Sequence, residues 1–182
     1  MQFKPFSEYL LHEKKYSELT VKAYLNDLES FATFILKEYD MISVHDVNYP
    51  QIRNWIVSLV ESNITYRSIN RKISSLNTYF KFLLKTETIT ANPLSKHKAL
   101  KTSKKVQIPF SEQEMTTVIE TLQAETDFKG LRNRLIVELF YATGIRRIEL
   151  IQIKLTDLDL ANKALKVLGK RNKERYIPLI DS

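Results

Sequence analysis

The segment Thr65-Tyr-Arg-Ser-Ile-Asn-Arg-Lys-Ile-Ser-Ser-Leu-Asn-Thr-Tyr-Phe-Lys-Phe-Leu-Leu-Lys-Thr-Glu87 carries two stripes at helical spacing. Ile69, Ile73, Leu76, Phe80 and Leu83 recur in steps of four, three, four and three, so the stretch reads as one helix of about six turns with a core-facing side. Arg67, Arg71, Ser74, Thr78, Lys81 and Lys85 keep the same rhythm on roughly the opposite side, and none of them is acidic. An ordinary surface helix mixes signs to gain i,i+4 pairs. A row of cations and short hydroxyls is instead what a helix lying along phosphates presents.

That helix sits inside the basic part of the chain. The 182 residues carry a formal charge of +7. Residues 1–62 hold six Lys/Arg against nine Asp/Glu, residues 64–105 hold ten against Glu87 alone, and residues 106–182 hold twelve against eleven. The excess therefore belongs to one stretch. Taken alone, such a stretch fits either a solvated basic face or a polyanion partner whose counterions are released on binding. The arrangement within the fourth helix favours the second.

Composition excludes several classes. Hydrophobic residues at 43% and charged residues at 27% are ordinary for a globular chain. There is no cysteine, which removes disulfide frameworks, thiol catalysis and cysteine-based zinc sites and fits a reducing, cytoplasmic setting. His12, His45 and His97 have no ligand-like spacing, so no metal and no cofactor is expected. No apolar run approaches the roughly 18 residues of a membrane span, and Met1 to Phe6 shows no secretory apolar region, so no membrane partner is expected.

The fold class expected is mainly α. Residues 1–90 read as four helices: Phe3 to about Tyr16; a long one after the cap Ser17 with Val21, Leu25, Leu28, Ala32, Ile35 and Tyr39; a third with Ile52, Trp55, Ile56, Leu59 and Val60; and the basic fourth. Four helices with short connections suffice for one buried core. Asn92-Pro93 stops the fourth, and residues 91–109 read as a basic linker with Lys96, Lys98, Lys101, Lys104 and Lys105, either a solvated tether or a strap over a nucleic-acid backbone. Residues 110–182 begin with a capping box, Ser111 and Glu114, and a hydrophobic staple, Phe110 with Met115, which open a helix through Val118, Ile119 and Leu122. A helix from about Asp127 to Ala142 ends at Gly144, and a short one covers about Arg146 to Ile153. Alternation at Leu158/Leu160, Leu165/Val167 and Tyr176/Ile177 then predicts three short strands, with turns at Ala161-Asn162-Lys163 and Arg171-Asn172-Lys173. Three helices with a small three-stranded sheet make a thin domain, and a missing second half is expected.

Two motifs in order, Tyr141-Ala-Thr-Gly-Ile-Arg-Arg-Ile-Glu-Leu150 and Val167-Leu-Gly-Lys-Arg-Asn-Lys-Glu-Arg-Tyr-Ile-Pro-Leu179, resemble those of tyrosine recombinases, with the closest likeness to Xer-type resolvases and phage or transposon integrases. Leu19-Thr-Val-Lys-Ala-Tyr-Leu-Asn-Asp-Leu28 looks like the second helix of that family's core-binding domain. The resemblance extends over essentially the whole chain. It implies a four-helix core-binding (SAM-like) domain followed by the first part of an α+β catalytic domain with a small antiparallel three-stranded sheet.

Members of that family cut DNA with a tyrosine that attacks the scissile phosphate and leaves a 3′-phosphotyrosyl link, without metal. The resemblance maps the first catalytic arginine onto Arg146, which would grip non-bridging oxygens near a helix N-terminus. It maps an orienting glutamate onto Glu149 and the hairpin general acid onto Lys170. Arg171 stands where the family has a glycine, a departure bearing on the turn's geometry. Arg147, Arg171, Lys173 and Arg175 are candidate backbone contacts. So, from the same resemblance, are Thr20, Tyr24, Arg67, Ser68, Arg71 and Lys72, together with Lys81, Lys85, Lys101, Lys104 and Lys105 on the basic helix and linker. Tyr24 could equally pack inside, and Tyr141 reads as core. The family's His-x-x-Arg box, second His or Trp and nucleophilic tyrosine are not found before Ser182, so this chain alone is expected not to cleave DNA.

The implied function is that of the DNA-binding portion of a recombinase that works as a tetramer on two duplexes, for integration or chromosome-dimer resolution. The alternatives are a naturally short, cleavage-dead protein occupying recombination sites, and a basic helical protein whose partner is RNA or an acidic protein. The narrow major groove of an A-form duplex counts against RNA.

Overall fold

Ser17, Asn48, Thr65, Ser111 and Asp127 each accept a hydrogen bond from a backbone N–H in the first turn of the helix that follows, and these caps set where the helices start. The computed structural model describes residues 3–103, 106–169 and 173–179 and divides the chain into two units, one within residues 1–105 and one within 106–182.

In the first unit, α1 (Lys4–Glu8) runs into a π-helical turn over Tyr9–Glu13, and the chain reverses at Lys15 with φ 53°. The single helix expected to reach Tyr16 is therefore shorter. α2 (Glu18–Tyr39), α3 (Tyr49–Glu61) and α4 (Tyr66–Lys85) follow, with a 3₁₀ turn at Val44–Asp46. All five members of the apolar stripe on α4 are buried, and Trp55 of α3 packs against Phe31 of α2 with ring centroids 4.9 Å apart.

The segment after α4 does not leave the bundle at once. Leu94 is buried in the same core, and Asn92 donates to the Asn77 Oδ1 at 2.8 Å. The Asn70 side chain holds the Leu100 backbone twice, donating to its carbonyl at 2.9 Å and accepting from its N–H at 2.9 Å. The linker expected over 91–109 is thus docked on the first unit as far as Leu100. A buried leucine and an amide that matches a peptide group at both ends fix it there, and lysine-rich composition hides both.

The second unit contains α5 (Glu112–Gln123), α6 (Phe128–Thr143) and α7 (Arg147–Ile151), then β1 (Leu158–Asp159), β2 (Ala164–Leu168) and β3 (Glu174–Pro178) in an antiparallel sheet of order β1-β2-β3. The capping box of α5 forms, with Ser111 and Glu114 bonding reciprocally, whereas Phe110 stays 77% exposed and adds little as a staple. Gly144 closes α6 in the left-handed region at φ 58°. The described core of this unit is small: Ile145, Leu165, Val167 and Ile177. Tyr141, expected in a core, is half-exposed on α6 together with Leu131 and Leu135. Three helices and a thin sheet give that side no covering layer among the described residues. No helix among the described residues is long and apolar enough to cross a membrane.

Candidate functional site

The cationic row of α4 is present, and its members differ in what holds them. Arg67, Arg71, Ser74, Lys81 and Lys85 are exposed, while Ser68 and Thr78 are half-buried. Among the described residues no carboxylate pairs with Arg67 or Lys81. Lys85 is paired with Glu13 and its ammonium lies 5.2 Å from the centre of the Tyr9 ring, so its charge is answered within the unit. Lys101 is exposed; Lys104 and Lys105 lie outside the described residues.

Beneath the row is an acid that charge counting does not find. Asp27 of α2 is 3% exposed and accepts from both Nη atoms of Arg71 at 2.5 and 2.9 Å, from Lys72 Nζ at 3.3 Å and from the Ser75 hydroxyl at 2.8 Å. Lys72 points inward to this acid, its side chain only 17% exposed, and so lies off the row on which a DNA contact was expected. Tyr24 is half-buried between α2 and the row, so the packing expected as its alternative role is present. Its ring packs edge-on against Tyr16 at 5.7 Å, and its hydroxyl meets Ser74 and Thr78 of the row. Burial, then the neighbouring Tyr16, raises its pKa. Thr20 shares a hydroxyl bond with Ser17 at 2.9 Å at the start of α2, and Ser68 accepts one from Thr65 at 3.0 Å at the start of α4.

In the second unit the left-handed Gly144 turns the chain so that Arg146 becomes the residue preceding the first turn of α7. Glu149, three residues on, is 2% exposed and reaches back to the Arg146 N–H at 2.9 Å, the reciprocal contact of a capping box. It also accepts from Arg146 Nη1 at 2.8 Å and from Arg175 Nη1 and Nη2, both at 2.9 Å. One buried carboxylate thus holds two guanidiniums, one from the residue that caps α7 and one from β3. Arg175, expected as a phosphate contact, spends its fork on Glu149. Arg146 remains 62% exposed at the side chain. Arg147 and Lys173 are exposed, and Lys170 and Arg171 lie outside the described residues.

Gly169 belongs to this cluster and was missed by sequence reasoning. A Cβ there would come within 3.2 Å of Glu149 Oε1 and 3.3 Å of the Lys173 carbonyl, which accepts from the Gly169 N–H at 2.7 Å. The glycine lets the hairpin backbone pass against the carboxylate. Its place in the second motif was the available signal. Arg175 could not have been found by spacing, since strand pairing brings it to Glu149 from 26 residues away.

The Arg146 backbone N–H and then the guanidiniums hold the Glu149 carboxyl below its ordinary value of 4.5. A carboxyl whose folded pKa is depressed contributes stability that is fully present above the unfolded value and is lost as pH falls through the folded one. Thermal unfolding followed from about pH 7 to about pH 3 should show the wild type losing more stability in acid than Glu149→Gln. Equal losses would mean that Glu149 is not the acid-sensitive strut. Glu114 and Asp159 are lowered too but are common to both chains, so the difference isolates Glu149.

Residues 3–87 match the family described as phage integrase, N-terminal SAM-like domain, and residues 110–182 match the phage integrase family. The chain belongs to the tyrosine recombinase family and is Xer-like. It is 37% identical over 166 residues to tyrosine recombinase XerC of Staphylococcus epidermidis, covering 91% of this chain and 55% of that protein. It is 38% identical over 173 residues to XerC of Staphylococcus haemolyticus, covering 95% and 57%. The chain therefore spans little more than half the length of these curated relatives. Its fold is similar to that of a lambda integrase dimer bound to a COC′ core site, with a TM-score of 0.73 at 18% identity over 97% of this chain and 47% of that one.

Proposed function

We propose that this chain is the DNA-gripping portion of a site-specific tyrosine recombinase, one that cuts and rejoins strands through a 3′-phosphotyrosyl intermediate. The observation that carries the reading is the exposed row Arg67–Arg71–Lys81 on α4, with hydroxyls between the cations and no acid among them. Double-stranded DNA is the partner that matches it, because a straight rod of cations fits a regular phosphate backbone. In the second unit Arg146 is the phosphate ligand, exposed and held at a helix start. Glu149 braces it, and Lys170 supplies the proton to the leaving oxygen. Neither this chemistry nor the backbone contacts call on a metal or a cofactor. A neighbouring fold is a lambda integrase tetramer bound to a Holliday junction, and by analogy the whole protein assembles with further protomers on two DNA sites.

The test is duplex affinity against salt. For about four phosphate contacts the affinity of the full chain should fall about a hundredfold between about 50 and 200 mM salt, with duplex RNA bound more weakly. A flat salt response would overturn the reading.

A further inference from the structure

We infer that Asp27 is a positioning residue for DNA binding, holding Arg71 in the row on α4. The inference rests on the reading of that row as a DNA contact. Asp27 is buried on α2, where an unpaired carboxylate would be strongly disfavoured. It meets three side chains of α4: the fork of Arg71, the amine of Lys72 and the hydroxyl of Ser75. Buried ion clusters of this kind add little stability over apolar packing of the same volume. What this one does is geometric. Both Nη atoms of Arg71 are pinned to the two carboxylate oxygens, so the guanidinium plane is fixed, yet the side chain stays 51% exposed. Two of its five N–H groups face Asp27, and the other three are free to meet a phosphate in a set direction. A long flexible cation is thereby ordered before DNA arrives, which removes an ordering loss from the binding step. Lys72, on the inner side, adds the second positive charge that lets a buried acid sit beneath a DNA-facing surface without a net negative field.

The sign of the effect separates positioning from bulk charge. Asp27→Asn makes the chain more positive by one, and if only net charge mattered, duplex binding would tighten. Positioning demands the opposite. The experiment measures duplex affinity and its salt slope for the full chain as wild type, Asp27→Asn, Arg71→Ala, the double variant and Ser75→Ala, each at a temperature where circular dichroism shows it folded.

Asp27→Asn should weaken binding about tenfold and lower the log–log salt slope by about one, despite the added charge. Arg71→Ala should do the same, and the double variant should bind no more weakly than Arg71→Ala alone. Ser75→Ala leaves the net charge untouched and removes one of the contacts fixing the carboxylate, so it should weaken binding about threefold.

Asp27→Asn binding as tightly as wild type or tighter overturns the proposal, as do single losses that multiply in the double variant. If Asp27→Asn does not fold, unchanged binding by Ser75→Ala overturns it. If Arg71→Ala binds like wild type, the assignment of Arg71 as a DNA contact has failed. If Arg71→Ala weakens binding and Asp27→Asn does not, only the positioning role has failed.

Discussion

Arg67→Glu combined with Lys81→Glu should remove most duplex binding while leaving thermal unfolding close to that of the wild type. Both side chains are exposed, and among the described residues neither has a carboxylate partner, so reversing them strands no buried charge. They stand near the two ends of the row on α4, and each replaces an attraction for phosphate by a repulsion. The log–log salt slope should fall by about two, and affinity at about 0.1 M salt should drop a hundredfold or more. Arg71 is deliberately spared, because a glutamate there would face the buried Asp27 and confound lost binding with lost folding. Binding that survives the double reversal would remove α4 from the interface.

Trp55→Ala should have the largest effect on stability. The indole is 2% exposed and packs on Phe31, itself fully buried. Truncating a buried aromatic of this size removes about 3–5 kcal/mol, a large share of the roughly 5–15 kcal/mol that holds a typical domain folded. Val57→Ala, two residues along the same helix at 45% exposure, should stay within about 0.5 kcal/mol. Trp55 is the chain's sole tryptophan, so denaturant unfolding must be followed by circular dichroism rather than indole fluorescence. Similar midpoints for the two variants would contradict the packing described for the first unit.

Local signals in the sequence were sufficient for most element boundaries. Ser17, Ser111 with Glu114, Asp127 and Gly144 mark helix ends because a cap is decided by residues within one turn of each other. The stripe on α4 and the three strands were readable for the same reason. What escaped depends on partners far along the chain. Asp27 is one acid among nine in an acidic stretch, and only the approach of Arg71, 44 residues later, makes it a buried hub. Leu94 and Leu100 lie in a lysine-rich segment that composition describes as a tether, yet they dock. Arg146 and Glu149 were legible from their motif. That Arg175 shares the same carboxylate follows from the register of β2 against β3, which no local pattern encodes.

Glu149 has two cations and needs only one of them to stay neutralised. If Arg146 turns outward to meet an incoming anion, Arg175 still clasps both carboxylate oxygens, and no stranded charge opposes the movement. The outer arginine is therefore on loan rather than locked. Asp27 is also held from the inner side, by Lys72 and Ser75, but there the outer arginine, Arg71, stays clasped to the carboxylate and turns its remaining N–H groups to solvent. Each unit thus presents an exposed arginine that is ordered by a buried carboxylate whose charge is also answered from the interior.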